Sequence, residues 1–589
     1  MSTVLHRLAQ WAKEDGSAAA QRYKEGNEWR TITAQEYCDR VYYLALFLES
    51  RGMSSSDIGV ILSYNCPQWV HMDLAPLMLG AKSAGLYPNA SEKDIQFILQ
   101  HTEPKVFSVQ NKTYFEKAVG KNNERPLPDF VEVVMVFEGD TSFSPKAISY
   151  EDALKEGKKL AEKKKLEQYL DGINHKDGAF MIYTSGTTGD PKGAVLSHEN
   201  IVFMTDAAAK QWKLPPTGRT FSFLPLCHIA EKMQNIGVGI SFRYAVNYCS
   251  GFENIVKELP DANPTLLFCV PRVWEKMMEG VQAKLKKATG VKKKLAGWAF
   301  QVGERVAEAK YSGRTPSPID LVQYRLADKI ILSKIRKALG MDQLDIAASG
   351  AAALGANIIR WFRILNIEIL EVFGQTESTG VICMTEPGRD CAGTVGKPLP
   401  GVDFKIADDG EILARGKNVF IEYYKSPEST ASTVMDGWLY TGDLGAIENG
   451  LVKIIGRKKE IMKTSGGKMV APVPIEESLK DSPVISQACL VGDGKKYFSA
   501  LITLSENLIG SLTNGDSTNG VVKNPEILSQ VKAKVSEVNS HLAGFEQVKY
   551  FTVLSNEFSV EKGEMTPTLK MKRNIIEQNY DNVINEMYQ

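Results

Sequence analysis

Short apolar runs alternate with helix-spaced patterns through the first part of this chain. Ile58–Leu62 and Val106–Val109 read as buried strands, and residues 69–85 between them read as a helix. Such strand–helix–strand spacing predicts a parallel, doubly wound α/β sheet. Residues 179–183 and 367–372 predict two further strands, each running into a glycine turn. Residues 155–165, rich in lysine, predict a solvated helix. From 271 to 340 the pattern is almost wholly helical and basic. Leu295, Trp298, Val302 and Val306 recur there at helical spacing, which reads as a core stripe; a membrane-surface helix is the alternative, because lysines flank the tryptophan. Turns and short strands dominate from 398 to 450. A compact unit of alternating strands and helices then runs to the end, with a surface loop at 514–524.

These patterns predict an α/β protein in two domains. Residues 1–456 form a large N-terminal domain of doubly wound mixed sheets, with a helical insertion at about 271–340 and a small β-structured subdomain. Residues 457–589 form a smaller α+β domain.

Composition narrows the function without naming it. Lys+Arg of 70 against Asp+Glu of 70 leaves no net charge, and no basic tail or aromatic-basic interleaving points to nucleic acid. The eight cysteines are scattered without a Cys-x-x-Cys pair, which suggests neither a disulfide framework nor a zinc site and favours a reducing compartment. The N-terminus lacks the apolar core of a signal peptide, and no apolar window is long enough to span a bilayer. A cytoplasmic protein is expected, with peripheral membrane contact left open; oligomeric state is not legible.

The densest chemistry lies in Tyr183-Thr184-Ser185-Gly186-Thr187-Thr188-Gly189-Asp190-Pro191-Lys192-Gly193. Glycines without Cβ atoms let backbone N–H groups close around an anion, while hydroxyls and one cation complete the shell. This is a way to hold a polyphosphate. It differs from the Walker loop, since no Gly-Lys pair in the chain is followed by Ser or Thr.

The segment resembles the phosphate loop of the adenylate-forming superfamily, which contains acyl-CoA synthetases, luciferases and peptide-synthetase adenylation domains. The resemblance runs from about residue 30 to about residue 575. It implies that Thr184, Ser185, Gly186, Thr187, Thr188, Gly189 and Lys192 contact ATP. Phe373-Gly374-Gln375-Thr376-Glu377 resembles the superfamily's aromatic-Gly-x-Thr-Glu motif. That likeness implies Mg²⁺ on Glu377, with Thr184 as a second ligand, the α-phosphate on Thr376, and adenine against Phe373, where tyrosine is commoner. Gly350, Ala351 and Ala352 are implied to lie against adenine, and Asp443 and Arg457 on the ribose. His228, in Leu224-Pro225-Leu226-Cys227-His228, is implied to border the acyl carboxylate as a positioning or electrostatic group. It is not needed as a base, because a fatty carboxylate is already ionised at neutral pH.

Near the end, Thr566-Pro567-Thr568-Leu569-Lys570-Met571-Lys572-Arg573 has Leu569 where the superfamily usually has glycine. Long-chain acyl-CoA synthetases share this form, which implies Lys570 as the adenylation lysine, with Lys572 as its competitor. The likeness further implies a mobile C-terminal domain that pivots at Lys459 and alternately presents Lys570 and the Gly466-Gly467 segment, the latter lining a tunnel for coenzyme A. The stretches 270–276, 327–330, 335–340 and 473–477 are similar to long-chain and bubblegum-type members. The implied reaction is ATP-dependent conversion of a long-chain fatty acid to acyl-CoA through acyl-AMP. A lipid-binding member with weak catalysis, or a CoA ligase for another hydrophobic acid, are the alternatives, and motifs alone do not exclude luciferase-like oxidation.

Overall fold

The structure is a computed structural model and describes residues 2–121, 124–184, 190–510, 512, 516–566 and 570–589. Ser185, Gly186, Thr187, Thr188 and Gly189 of the predicted phosphate loop lie outside the described residues.

Two large sheets are built from strands between Ala19 and Tyr423. One runs in the order Glu422–Tyr423, Lys192–Ser197, Gly178–Thr184, Lys82–Leu86, Ile58–Leu62, Val106–Val109, Val133–Val136 and Ala147–Ser149. It is parallel except at the edge that holds the first three strands. Every residue of Ile58–Leu62 and Val106–Val109 is buried, as expected of central strands covered on both faces. The other sheet is parallel from Ile369–Phe373 through Ile346–Gly350, Leu266–Cys269, Gly218–Ser222 and Tyr244–Tyr248 to Ala19–Glu25, with antiparallel strands at both edges. A five-stranded antiparallel sheet follows, in which Trp438–Glu448 pairs with Glu411–Gly416 and Leu451–Arg457. The last part is an α+β unit built on Ile485–Val491, Phe498–Leu504 and Val548–Leu554. Among the described residues, no helix is long and apolar enough to cross a membrane.

Several local expectations need correction. Residues 69–85 are not one helix: Pro67–Leu74 is helical, a single 3₁₀ turn covers Pro76–Leu79, and Lys82–Leu86 is a strand. Pro76 cannot donate into a continuing helix, Gly80 turns the chain at φ +73°, and the small residues beyond enter the sheet centre. Gly85 permits that entry, since a Cβ there would lie 2.6 Å from the Trp69 ring. The lysine-rich helix is Tyr150–Ala161 and stops before Lys163. In the insertion the buried stripe is Ala296, Ala299, Val302 and Gly303 rather than the predicted set. Val302 is core, Trp298 packs partly buried against it, and Leu295 and Val306 are only half-buried. Within 514–524, Ser517–Thr518 and Val521–Val522 pair as a small hairpin.

Hydrophobic clusters are separate on the two sides of the segment after Arg457. Those of the large sheets and the antiparallel sheet end at Ile454, and those of the α+β unit begin at Met462.

Candidate active site

The site lies at the strand ends where the two large sheets and the antiparallel sheet meet. Strand Gly178–Thr184 reaches it at Thr184, and Lys192–Ser197 returns antiparallel, Thr184 opposite Lys192. The Thr184 hydroxyl donates to the Lys192 carbonyl at 3.4 Å. The Lys192 ammonium stands 5.3 Å from the centre of the Tyr423 ring. Tyr423 is held by pairing with Ala194, and its phenol donates to Glu377 Oε1 at 2.5 Å. Burial, then the Glu377 charge, raise the phenol's pKa, so Tyr423 stays protonated and serves as a donor.

Glu377 occupies a 3₁₀ turn, Thr376–Ser378, directly beyond strand Ile369–Phe373; Thr376 and Glu377 are both buried. The turn is tight because a Cβ on Gly374 would lie 2.5 Å from the Gly380 carbonyl oxygen. The Gln375 N–H donates to the Ser378 hydroxyl at 3.0 Å, and the Glu377 carbonyl accepts from Phe420 N–H at 2.9 Å. Alongside, Ile346–Gly350 ends with Gly350 opposite Val372, and a Cβ on Gly350 would approach the Val372 carbonyl to 2.9 Å. Ala351 then takes φ +71°, an uncommon left-handed conformation for a residue with a side chain. Ala352 is exposed and Phe373 half-buried, so small residues and one ring border the same opening.

On the opposite wall Asp443 and Arg457 are cross-strand partners, with Arg457 Nε 2.9 Å from Asp443 Oδ1. Burial raises the Asp443 pKa, opposed by the charges of Arg457 and Lys570. Lys458 turns away and pairs with Asp409 at 2.6 Å and Glu411 at 2.9 Å; Glu411 in turn accepts from Gly442 N–H at 2.8 Å and fixes the turn before Asp443.

Lys570 reaches this cluster from the C-terminal unit. Its backbone is tied to Thr566, and its side chain keeps an exposed surface while standing between protein walls. That enclosure, then the Arg457 charge, lower its pKa, while Asp443, Glu460 and Glu377 pull the other way. His228 also feels the Lys570 charge: burial first, and that charge second, push its pKa down to about 3. Its Nδ1 accepts from Ala230 N–H at 3.2 Å, which leaves the proton of a neutral ring on Nε2 as a donor. Thus the Lys570 charge acts on His228 and Asp443, and Arg457, Asp443 and Glu377 act on Lys570 in turn. Lys459 and the Gly466-Gly467 turn do not join this group. Lys459 is exposed in the 3₁₀ turn Lys458–Glu460, and Gly467 closes an exposed turn at φ +78° through its N–H to Thr464 O, 2.8 Å.

Sequence reasoning missed three features. Tyr423, in a two-residue strand, carries no motif. Asp73 and Lys232 form a buried ion pair 159 positions apart, with the Ser83 hydroxyl on Asp73 at 2.6 Å and the ammonium 4.3 Å from the Phe180 ring centre. Lys232 N–H also donates to His228 O at 3.0 Å, so the pair anchors the turn that carries His228. Beside it, Glu231 is buried near the Ser222 hydroxyl, the Leu224 N–H and the Asn235 and Gln234 amides, and burial lifts its pKa to about 8. The helix here widens into π geometry over Met233–Val238, a feature frequent at functional sites.

The site thus combines the Glu377 carboxylate, the buried Asp443 paired with the partly exposed Arg457, the Lys570 ammonium and a run of small residues. The chain belongs to the AMP-binding enzyme family, whose profile matches residues 8–424, with the family's C-terminal domain matching residues 459–589. Within that family it is similar to the long-chain-fatty-acid–CoA ligase FadD15 of Mycobacterium bovis, 32% identical over 95% of this chain and 92% of the relative. It is likewise similar to the human long-chain-fatty-acid–CoA ligase ACSBG2, 30% identical over 97% of this chain and 90% of the relative. In fold it matches the anthranilate CoA ligase AuaEII in complex with anthranoyl-AMP, with a TM-score of 0.75, 17% identity and coverage of 99% and 98%. The adenylation domain of a carboxylate reductase from Mycobacterium chelonae matches with a TM-score of 0.76, 21% identity and coverage of 100% and 91%.

Among the described residues no group of three His, Cys, Asp or Glu side chains could cage a metal ion. Glu377 and Thr184 offer one carboxylate and one hydroxyl. That sparse set fits Mg²⁺, which keeps most of its shell as water and substrate phosphate.

Proposed function

We propose that this protein is an ATP-dependent, AMP-forming long-chain fatty acid:CoA ligase that works through an acyl-AMP intermediate. The observation that carries the reading is that Lys570, from the C-terminal unit, is near enough for its charge to act on Asp443 of the Asp443–Arg457 pair and on His228. The chain's likeness to long-chain-fatty-acid–CoA ligases over nearly its full length supports the substrate class.

In this reading the fatty carboxylate attacks the α-phosphorus of ATP and pyrophosphate departs in line, so no protein nucleophile is required. Thr184 and Lys192, with Ser185, Gly186, Thr187, Thr188 and Gly189, hold the phosphates. Mg²⁺ at Glu377 and Thr184 would screen their charge. Gly350, Ala351, Ala352, Phe373, Gly374, Gln375 and Thr376 border the adenine and α-phosphate, while Asp443 and Arg457 take the ribose hydroxyls. Lys570 supplies positive charge where it develops between carboxylate and phosphate. His228, neutral and with a donor on Nε2, orients the carboxylate and takes no proton.

The two separate sets of hydrophobic clusters support a boundary near Gly456, with residues 1–456 and 457–589 as domains, the insertion at about 271–340 on the first and Lys459 at the pivot. Rotation there would withdraw Lys570 and bring Gly466-Gly467 to the cleft for coenzyme A. We place the protein in the cytoplasm, in peripheral contact with a membrane face.

The test is product analysis with purified protein, Mg²⁺, ATP, CoA and palmitate. AMP, pyrophosphate and palmitoyl-CoA should appear together and only when the acid is present. Palmitate binding without nucleotide consumption would instead make the protein a lipid-binding member. Turnover with benzoate but not palmitate would move it to another class of hydrophobic acid.

A further inference from the structure

The helical insertion carries an apolar face that no described residue covers. Fifteen large hydrophobic residues are exposed among the described ones, and four of them lie on the helix Pro318–Ala327: Ile319, Leu321, Val322 and Leu326. Ile319, Val322 and Leu326 stand at i, i+3 and i+7, which is one stripe on one side. Ile319 is 71% exposed, Val322 65% and Leu326 52%. The helix packs through its other side, where Ala327 is core and Arg305 of the long helix Gly290–Tyr311 bonds Asp320 at 3.1 Å and Gln323 at 2.9 Å.

Charge separates this face from an ordinary protein contact. Both acids of the segment 318–329 are held by internal arginines, Asp320 by Arg305 and Asp328 by Arg336 at 2.6 Å, which leaves Arg325 and Lys329 as the exposed charges. Earlier in the same insertion, the junction between helices Pro271–Lys286 and Gly290–Tyr311 reads Lys284-Leu285-Lys286-Lys287-Ala288-Thr289-Gly290-Val291-Lys292-Lys293-Lys294. All six lysines are exposed, no acid interrupts them, and Val291 stands 76% exposed in their midst. A chain with no net charge has here gathered one sign on the eleven-residue stretch 284–294. Apolar side chains that can enter an acyl layer, beside cations that stay at the level of phosphate headgroups, suit an anionic lipid surface.

We propose that helix Pro318–Ala327 and the lysine junction 284–294 together form the docking surface of this protein for anionic lipid bilayers. The proposal rests on the peripheral-contact part of the function above and gives that contact a location. The stripe supplies the part of the affinity that survives salt, and the lysines supply the part that salt weakens.

Co-sedimentation of the full chain with vesicles tests it. Binding to phosphatidylcholine–phosphatidylglycerol vesicles should exceed binding to phosphatidylcholine alone and should weaken at high salt. The triple variant Ile319→Ser, Val322→Ser, Leu326→Ser should lose about tenfold or more in vesicle affinity, and so should Lys292→Glu, Lys293→Glu, Lys294→Glu. Ligase activity on albumin-presented palmitate in vesicle-free buffer should match wild type in both, which separates failure of docking from failure of the enzymatic reading. Wild-type protein that ignores anionic vesicles, or variants that bind them as wild type does, would overturn the proposal. So would an apolar variant that dissolves a dimer in size-exclusion chromatography but still binds vesicles, because the face would then hold a second copy.

Discussion

Burial lifts the carboxyl of Glu231 to about 8, and that of Glu371 likewise to about 8. Each folded pKa lies above the ordinary 4.5, so the folded protein keeps a proton that the unfolded chain releases between those values. Stability therefore falls as pH rises through that window. The buried imidazoles His198 and His228, at about 4 and about 3, act with the opposite sign, but only below their ordinary 6.5. Between about 6.5 and 8 the carboxyls act without that opposition, and the melting temperature should drop across this interval. Glu231→Gln, which keeps the shape and removes the titration, should flatten the slope; a slope unchanged in the variant would show that Glu231 holds no extra proton. Tyr423→Phe addresses the active site at the same scale. It deletes the 2.5 Å donor to Glu377, a charge-assisted hydrogen bond worth about 1.5–3 kcal/mol, and should slow fatty-acid-dependent pyrophosphate exchange by roughly one to two orders of magnitude. Unaltered exchange would reduce Tyr423 to packing. Glu377, Asp443 and Arg457 stood out in the sequence through the family resemblance, which implies their roles from motifs at a glycine turn or strand end. Tyr423 did not, since only its register against Ala194 carries it to the carboxylate.

At the scale of elements, periodicity found the buried strands but misjudged where helices stop. Residues 69–85 have helical spacing in their apolar positions, yet Pro76 and Gly80 end the helix and the sheet claims Lys82–Leu86. A charged residue in an apolar helix pattern reads as solvent-facing, and that habit hid Asp73 and Lys232, whose pairing exists only after helix Pro67–Leu74 meets helix Ile229–Lys232. Lys232→Met leaves Asp73 buried without its cation, with only the Ser83 hydroxyl on it, and should cost about 3–5 kcal/mol in denaturant unfolding of the protein. Adding Asp73→Leu should recover much of that loss, because the paired apolar residues leave no charge to solvate. Equal losses in the single and double variants would contradict the pairing. Activity should fall with Lys232→Met as well, since the side-chain ion pair to Asp73 anchors the helix that directly follows His228.

For the whole molecule, the division of labour rests on which face of the C-terminal unit meets the cleft. Lys570 meets it, and the Gly466-Gly467 turn stands open elsewhere. Motifs gave the identity of both segments, but their relative placement depends on an arrangement of domains that no local pattern encodes. A bulky side chain at Gly467 finds open space in this arrangement, with nothing within 4 Å of a Cβ there. Gly467→Trp meets no clash at Cβ, but φ +78° strains any L side chain there, so the variant should fold with a modest loss of stability and still form acyl-AMP, while transfer to coenzyme A slows in a single-turnover assay. Undiminished transfer would remove this turn from the coenzyme A path.

The most direct measurement is exchange of labelled pyrophosphate into ATP, with fatty acid and Mg²⁺ present and coenzyme A left out. The account predicts exchange that requires the acid and falls about 10²–10³-fold in Lys570→Ala, whereas that variant still converts supplied acyl-AMP and coenzyme A to acyl-CoA. Exchange that persists without any fatty acid, or a Lys570→Ala variant that loses both half-reactions equally, would contradict it.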